Sequence, residues 1–155
     1  MITQKIKQSS ILFLWLFIAC FFTKNLKAQC TGVSVSDSLA LVDFYNATDG
    51  DNWNNNNGWL EGPVSTWERI TLSDDGCLVV YINSSNNNIS GTLIDLNLPN
   101  LEYLSLRQNE LVGSIPNFTN LPKLKHLDLG CNELTGSIPN FTNLPLLEEL
   151  GLINN

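Results

Sequence analysis

The chain has 155 residues, a formal net charge of −7, a sequence pI near 4.4 and 43% hydrophobic residues. That length holds one domain, or part of one, and leaves no room for a catalytic domain beside a binding domain. The acid excess excludes a nucleic-acid binder, which needs a basic face to neutralise phosphates.

The first 28 residues form a separate object. Lys5 and Lys7 give a short cationic start, Ile11 to Phe22 is a twelve-residue apolar run, and a polar stretch closes at Ala28. This is the three-part pattern of a secretory signal peptide. The run is too short for a spanning helix, which takes about 20 apolar residues. The alternative is a retained anchor or a lipid at Cys20. Phe17 argues against the lipid, because it stands where lipid-attachment sequences carry Leu. Cleavage after Ala28 would leave Gln29 as the mature N-terminus. It removes Lys5, Lys7, Lys24 and Lys27 and no acid. The remaining 127 residues keep Arg69, Arg107, Lys123 and Lys125 against all 15 carboxylates, a formal charge of −11. The expected product is acidic and exported, either secreted or held at the cell surface.

Three cysteines outlast cleavage: Cys30, Cys77 and Cys131. An oxidising compartment permits a disulfide, and three thiols cannot all pair within one chain. Cys30–Cys77 is the preferred pair because it would tie the N-terminal tail to the start of the next segment. Cys131 is then the odd thiol. No Cys or His spacing points to a metal, and no cofactor is implied.

Asp37 reads as the N-cap of a helix over SLALVDFYNA, where Leu41, Phe44 and Tyr45 fall at i, i+3 and i+4. Next come TDGDNWNNNNGWL, with Trp53 and Trp59, and GPVSTWERITL, with Trp67. The close carboxylates of Asp49 and Asp51 lack a 12-residue calcium frame ending in Glu, so this loop reads as turn chemistry.

From Leu98 the chain repeats itself. LPNLEYLSLRQNELVGSIPNFTN is followed 23 residues later by LPKLKHLDLGCNELTGSIPNFTN, and then by LPLLEELGLINN. A weaker copy, VVYINSSNNNISGTL from Val79, is one residue short of the same period. This gives three complete repeats and the start of a fourth. Leu104 and Leu106 alternate with Tyr103, Ser105 and Arg107, the period of a strand with one buried face. Asn109, Asn132 and Asn155 follow each strand, where an amide side chain can satisfy backbone groups without a ladder partner. Gly113-Ser-Ile115-Pro116 and its copy at Gly136 predict an extended return, and Phe118 and Phe141 predict a stacked spine on the outer side.

The pattern L-x-x-L-x-L-x-x-N-x-L-x-G-x-I-P resembles the leucine-rich repeat of plant receptors and exported bacterial proteins. The helix and tryptophan loop resemble the N-terminal cap of that family, which covers the open end of the stack. The resemblance runs from about Asp37 to Asn155. It implies an α/β solenoid: a right-handed superhelix with a short parallel sheet and a helical cap, with residues 29–78 as cap and 79–155 as repeats. Two features depart from the family. Arg69 lies where Gly is expected and no Cys pair brackets Trp67. Ser84 takes the place held by Leu106, Leu129 and Leu152, a loss of about 2 kcal/mol of burial.

Stacked repeats place equivalent residues in columns about 4.8 Å apart. Tyr81, Tyr103, His126 and Glu149 form one; Asn83, Ser105, Asp128 and Gly151 a second; Ser85, Arg107, Gly130 and Ile153 a third. The candidate ligand-binding residues on the concave face are Tyr81, Asn83, Tyr103, Ser105, Arg107, His126, Asp128 and Glu149. His126, Asp128 and Ser105 come within reach of one another, but no nucleophile elbow or oxyanion loop accompanies them, so no enzyme is expected. In a eukaryotic source, Asn46, Asn83, Asn88, Asn117 and Asn140 would be glycosylation acceptors. The expected function is recognition of a protein, peptide or glycan. The alternative is a structural or adhesive front segment of a longer surface protein or receptor. The sequence stops after a strand with Leu150 and Leu152 uncovered, so continuation of the chain or docking at this end is expected.

Overall fold

A computed structural model describes residues 32–155. The signal-like stretch, its cleavage site and Cys30 lie outside the described residues. Helix α1 spans Val35–Ala47 and is followed by 3-10 turns at Gly50–Asn52 and Val64–Thr66. Eight short strands follow: β1 Ile70–Leu72, β2 Val79–Asn83, β3 Ser90–Thr92, β4 Tyr103–Ser105, β5 Glu110–Ser114, β6 His126–Asp128, β7 Glu133–Thr135 and β8 Glu149–Gly151. They form two sheets, β1-β2-β4-β6-β8 and β3-β5-β7. All pairings are parallel except β1 with β2, which is antiparallel and slips register between Thr71 and Leu72. No helix among the described residues is long and apolar enough to cross a membrane.

The helix begins earlier than the sequence suggests. Ser34, not Asp37, is its N-cap: the Ser34 hydroxyl accepts the Asp37 N–H at 3.0 Å and donates to the Asp37 carboxylate at 2.9 Å. This serine–acid exchange across the first turn resembles a capping box and fixes the entry of the chain. Asp37 is thereby turned inward and buried, where its second oxygen accepts the Val79 N–H at 3.5 Å. The helix is thus tied to the first residue of β2.

Below the helix, Phe44, Tyr45, Trp53, Trp59 and Trp67 make one ring cluster, with Trp59 within 4.9–6.4 Å of the other four ring centroids. Each indole N–H finds a backbone oxygen: Trp53 on Thr48, Trp59 on Glu68 and Trp67 on Glu61. Buried rings with a satisfied polar edge contribute both area and orientation. Arg69 has φ +67°, a left-handed backbone that suits glycine. The arginine compensates through its guanidinium, which donates to the carbonyls of Asn83 and Ser85 at 3.4 and 3.1 Å.

The repeats bury a ladder of leucines: Leu101, Leu104, Leu106, Leu124, Leu127 and Leu129 are all fully buried. The asparagines join turn to turn. The Asn109 carbonyl accepts the N–H groups of Asn87 and Ile89, while its amide donates to the carbonyls of Ser84 and Leu106. Asn132 and Asn155 repeat this one and two turns on. Asn87 differs, because its amide bonds Asn55 of the cap and its carbonyl has no protein partner. Phe118 is fully buried and Phe141 packs against the core. Ring contact between these two, expected for a stacked spine, is absent among the described residues. Ser84 is fully buried and its hydroxyl has no partner, so this position remains a polar gap in the ladder. Gly91 marks the junction with the cap: at φ +86°, a Cβ there would stand 2.5 Å from the Ala47 carbonyl oxygen.

Candidate functional site

The strand register aligns the columns. Tyr81 pairs with Tyr103, Tyr103 with His126 and His126 with Glu149. Parallel in-register strands hold identical side-chain positions about 4.8 Å apart, close to the spacing of stacked rings. The rings respond accordingly. Tyr81 stacks on Tyr103 at 4.2 Å with 14° between planes, and Tyr103 stacks on His126 at 4.2 Å with 6°. Glu149 ends the column, with its carboxylate 2.7 Å from the His126 Nδ1. Burial, then the neighbouring Tyr81, pushes the Tyr103 hydroxyl above its ordinary pKa of 10.0, so it stays a neutral donor.

The second column is more closed. Ser105 is buried and its hydroxyl meets that of Ser85 at 2.8 Å. Asn83 is half-buried, donating to Tyr81 and accepting from Ser85. Asp128 accepts the Gly130 N–H at 2.9 Å and lies 3.9 Å from the Arg107 guanidinium. Gly130 and Gly151 make room for these two side chains. A Cβ at Gly151 would stand 2.6 Å from the Asp128 carboxylate, and one at Gly130 would stand 2.8 Å from the Arg107 guanidinium.

A groove of about 640 Å³ runs beside the aromatic column. Tyr81, Tyr103 and His126 form one side, Val80, Glu102 and Lys125 another, and Thr71, Ser73 and Asp74 of the β1 turn close one end. The sequence reading did not single out Val80, Glu102 and Lys125, although they form a column one residue before the aromatic one and the same repeat alignment finds them. Thr71, Ser73 and Asp74 had no such signal, since β1 lies outside the repeat and pairs in the opposite sense. Lys125 reaches Glu102 at 2.6 Å, and that hydrogen bond raises its pKa.

Other candidates fall elsewhere. Among the expected glycan acceptors, Asn46, Asn88, Asn117 and Asn140 are exposed. Cys77 is disulfide-bonded and Cys131 is free; the expected partner of Cys77, Cys30, lies outside the described residues. No group of three His, Cys, Asp or Glu side chains among the described residues could hold a metal ion.

Residues 99–139 match the family model for leucine-rich repeats in two copies. No curated protein matches the chain. Among solved structures, a chain of the PEPR1–AtPEP1 crystal structure is similar at 30% identity with a TM-score of 0.64, over 76% of this chain and 18% of that one. A chain of the BIR3–SERK2 complex from Arabidopsis thaliana is similar at 25% identity with a TM-score of 0.61, over 75% of this chain and 67% of that one. The chain therefore spans less than a fifth of the first of these.

Proposed function

This chain is a leucine-rich-repeat protein, and we propose that it is a non-enzymatic, extracellular recognition module binding a peptide or protein segment across the open face of its five-stranded sheet. The observation that carries this reading is the column Tyr81–Tyr103–His126–Glu149, held rigid by stacking and one short contact beside an open groove. Side chains already fixed before binding lose little conformational freedom on it, which favours affinity. Aromatic groups at the centre of a surface are also the usual anchors of an interface. Two of the similar chains come from structures of complexes, PEPR1 with AtPEP1 and BIR3 with SERK2. The N-terminal signal pattern and the disulfide at Cys77 favour an oxidising, extracellular location.

The test is selection of a phage-displayed random-peptide library on the purified full chain, followed by titration of the recovered peptides. Tyr103→Ala and His126→Ala should each weaken the recovered binders by about tenfold or more. Each truncation also removes ring stacking worth about 0.5–1.5 kcal/mol per pair, so both variants should still unfold cooperatively, well above the temperature of the binding assay. Binders indifferent to both substitutions would place the site elsewhere and favour the structural or adhesive reading.

A further inference from the structure

The groove also limits the chemistry of its occupant. Both faces of the Tyr103 ring are covered, one by Tyr81 and the other by His126. A sugar that binds by laying its C–H face on an aromatic ring needs a free π-face, and the middle of this column offers only ring edges and hydroxyls. Glycan stacking on the central ring, Tyr103, is therefore blocked.

Charge narrows the choice further. Each of the four cations among the described residues has a partner. Arg69 donates to the Asn83 and Ser85 carbonyls, Arg107 faces Asp128, Lys123 donates to Asn100 and Lys125 is paired with Glu102. Arg69 and Lys123, whose partners are neutral, lie outside the groove lining, and the one lysine that lines it is already held by Glu102. On the acidic side, Asp74 lines the groove with no hydrogen-bond or ion-pair partner among the described residues, and Glu102 lines it holding one lysine. Glu148 and Glu149 extend the same columns beyond the groove. All 15 carboxylates of the sequence belong to this part of the chain, so the long-range field attracts cations as well.

Resting on the reading of this face as a peptide site, we infer that the groove takes a peptide segment presenting a lysine or arginine, whose cationic head is held by Asp74 and Glu102. The stem of such a side chain packs against Val80 and the ring edges. A volume of about 640 Å³ open along one side suits an extended backbone with one or two anchored side chains.

Peptides recovered on the full chain should be enriched in Lys and Arg over the starting library. Replacing the enriched residue by norleucine should weaken binding about tenfold. The Asp74→Asn/Glu102→Gln double variant removes two carboxylates and frees the Lys125 charge, and it should lose at least as much. Raising the salt to about 0.5 M NaCl should weaken binding several-fold. Binders that need Tyr103 but show no basic enrichment, or that keep their affinity for the double variant, overturn the inference and leave the face as the binding site. Binders that do not need Tyr103 overturn both. Cellohexaose or chitohexaose titrating with a Tyr103-dependent signal would also overturn it.

Discussion

The cap and the repeats solve the same problem by different means. Both must bury apolar surface while satisfying backbone groups that no regular ladder serves. The cap does it once per site: each tryptophan N–H meets a different carbonyl, and Arg69 reaches the carbonyls of Asn83 and Ser85 from a left-handed backbone. The repeats do it with one residue used again, an asparagine that bonds its own turn and the one before. A device that recurs needs each copy to have a neighbour. Asn87, the first copy, has cap atoms on one side and leaves its carbonyl without a protein partner.

The contrast predicts an order of damage. Trp59→Ala should be the largest single loss, about 3–5 kcal/mol in urea denaturation followed by circular dichroism, because it opens the centre of the ring cluster. A loss under about 1 kcal/mol would mean that the cap is not a packed unit. Asn109→Ala comes next, at about 2–3 kcal/mol, since it strands the Asn87 and Ile89 N–H groups together with the Ser84 carbonyl, while the Leu106 carbonyl keeps its bond from Asn132. Asn87→Ala should cost clearly less; equal losses would contradict the recurring-device account. Gly91→Ala tests the junction where cap and repeats touch, and should cost about 1–3 kcal/mol from strain and overpacking.

The smallest effect is alkaline. Burial first, then the bond to Asp51, raises the pKa of Tyr45 above 10.0, and burial raises that of Tyr103. The folded chain therefore keeps phenolic protons that the unfolded chain gives up. This stability is complete below about pH 10 and is lost as pH rises through the folded values. Melting temperatures across that range should decline less steeply in Tyr45→Phe and Tyr103→Phe than in the parent, and parallel curves would remove these residues from the account.

What was legible in the sequence follows from the same contrast. A repeat aligns itself, so the partners of Tyr103, Ser105 and Asp128 could be named from spacing alone. The cap has no internal copy to align. The inward turn of Asp37 and the carbonyl-binding role of Arg69 depend on contacts far apart in sequence, whereas the Ser34 cap is a local exchange with Asp37 three residues on. The groove was half legible: Glu102 and Lys125 share the repeat period, whereas Asp74 reaches it from an antiparallel turn. Stacking of Tyr103 on both neighbours was not legible either, because spacing places rings side by side without setting their planes.

The strand β1 carries a last consequence, for how other chains can approach. An open sheet edge invites strand addition from a neighbouring molecule, and proteins blunt such edges with short strands, bulges and charge. β1 combines all three: it has three residues, its register slips between Thr71 and Leu72, and Asp74 and Asp75 follow it. Backbone pairing at this edge is thereby discouraged, and with it a route to aggregation. A partner arriving from this side meets side chains and must lie across the strands.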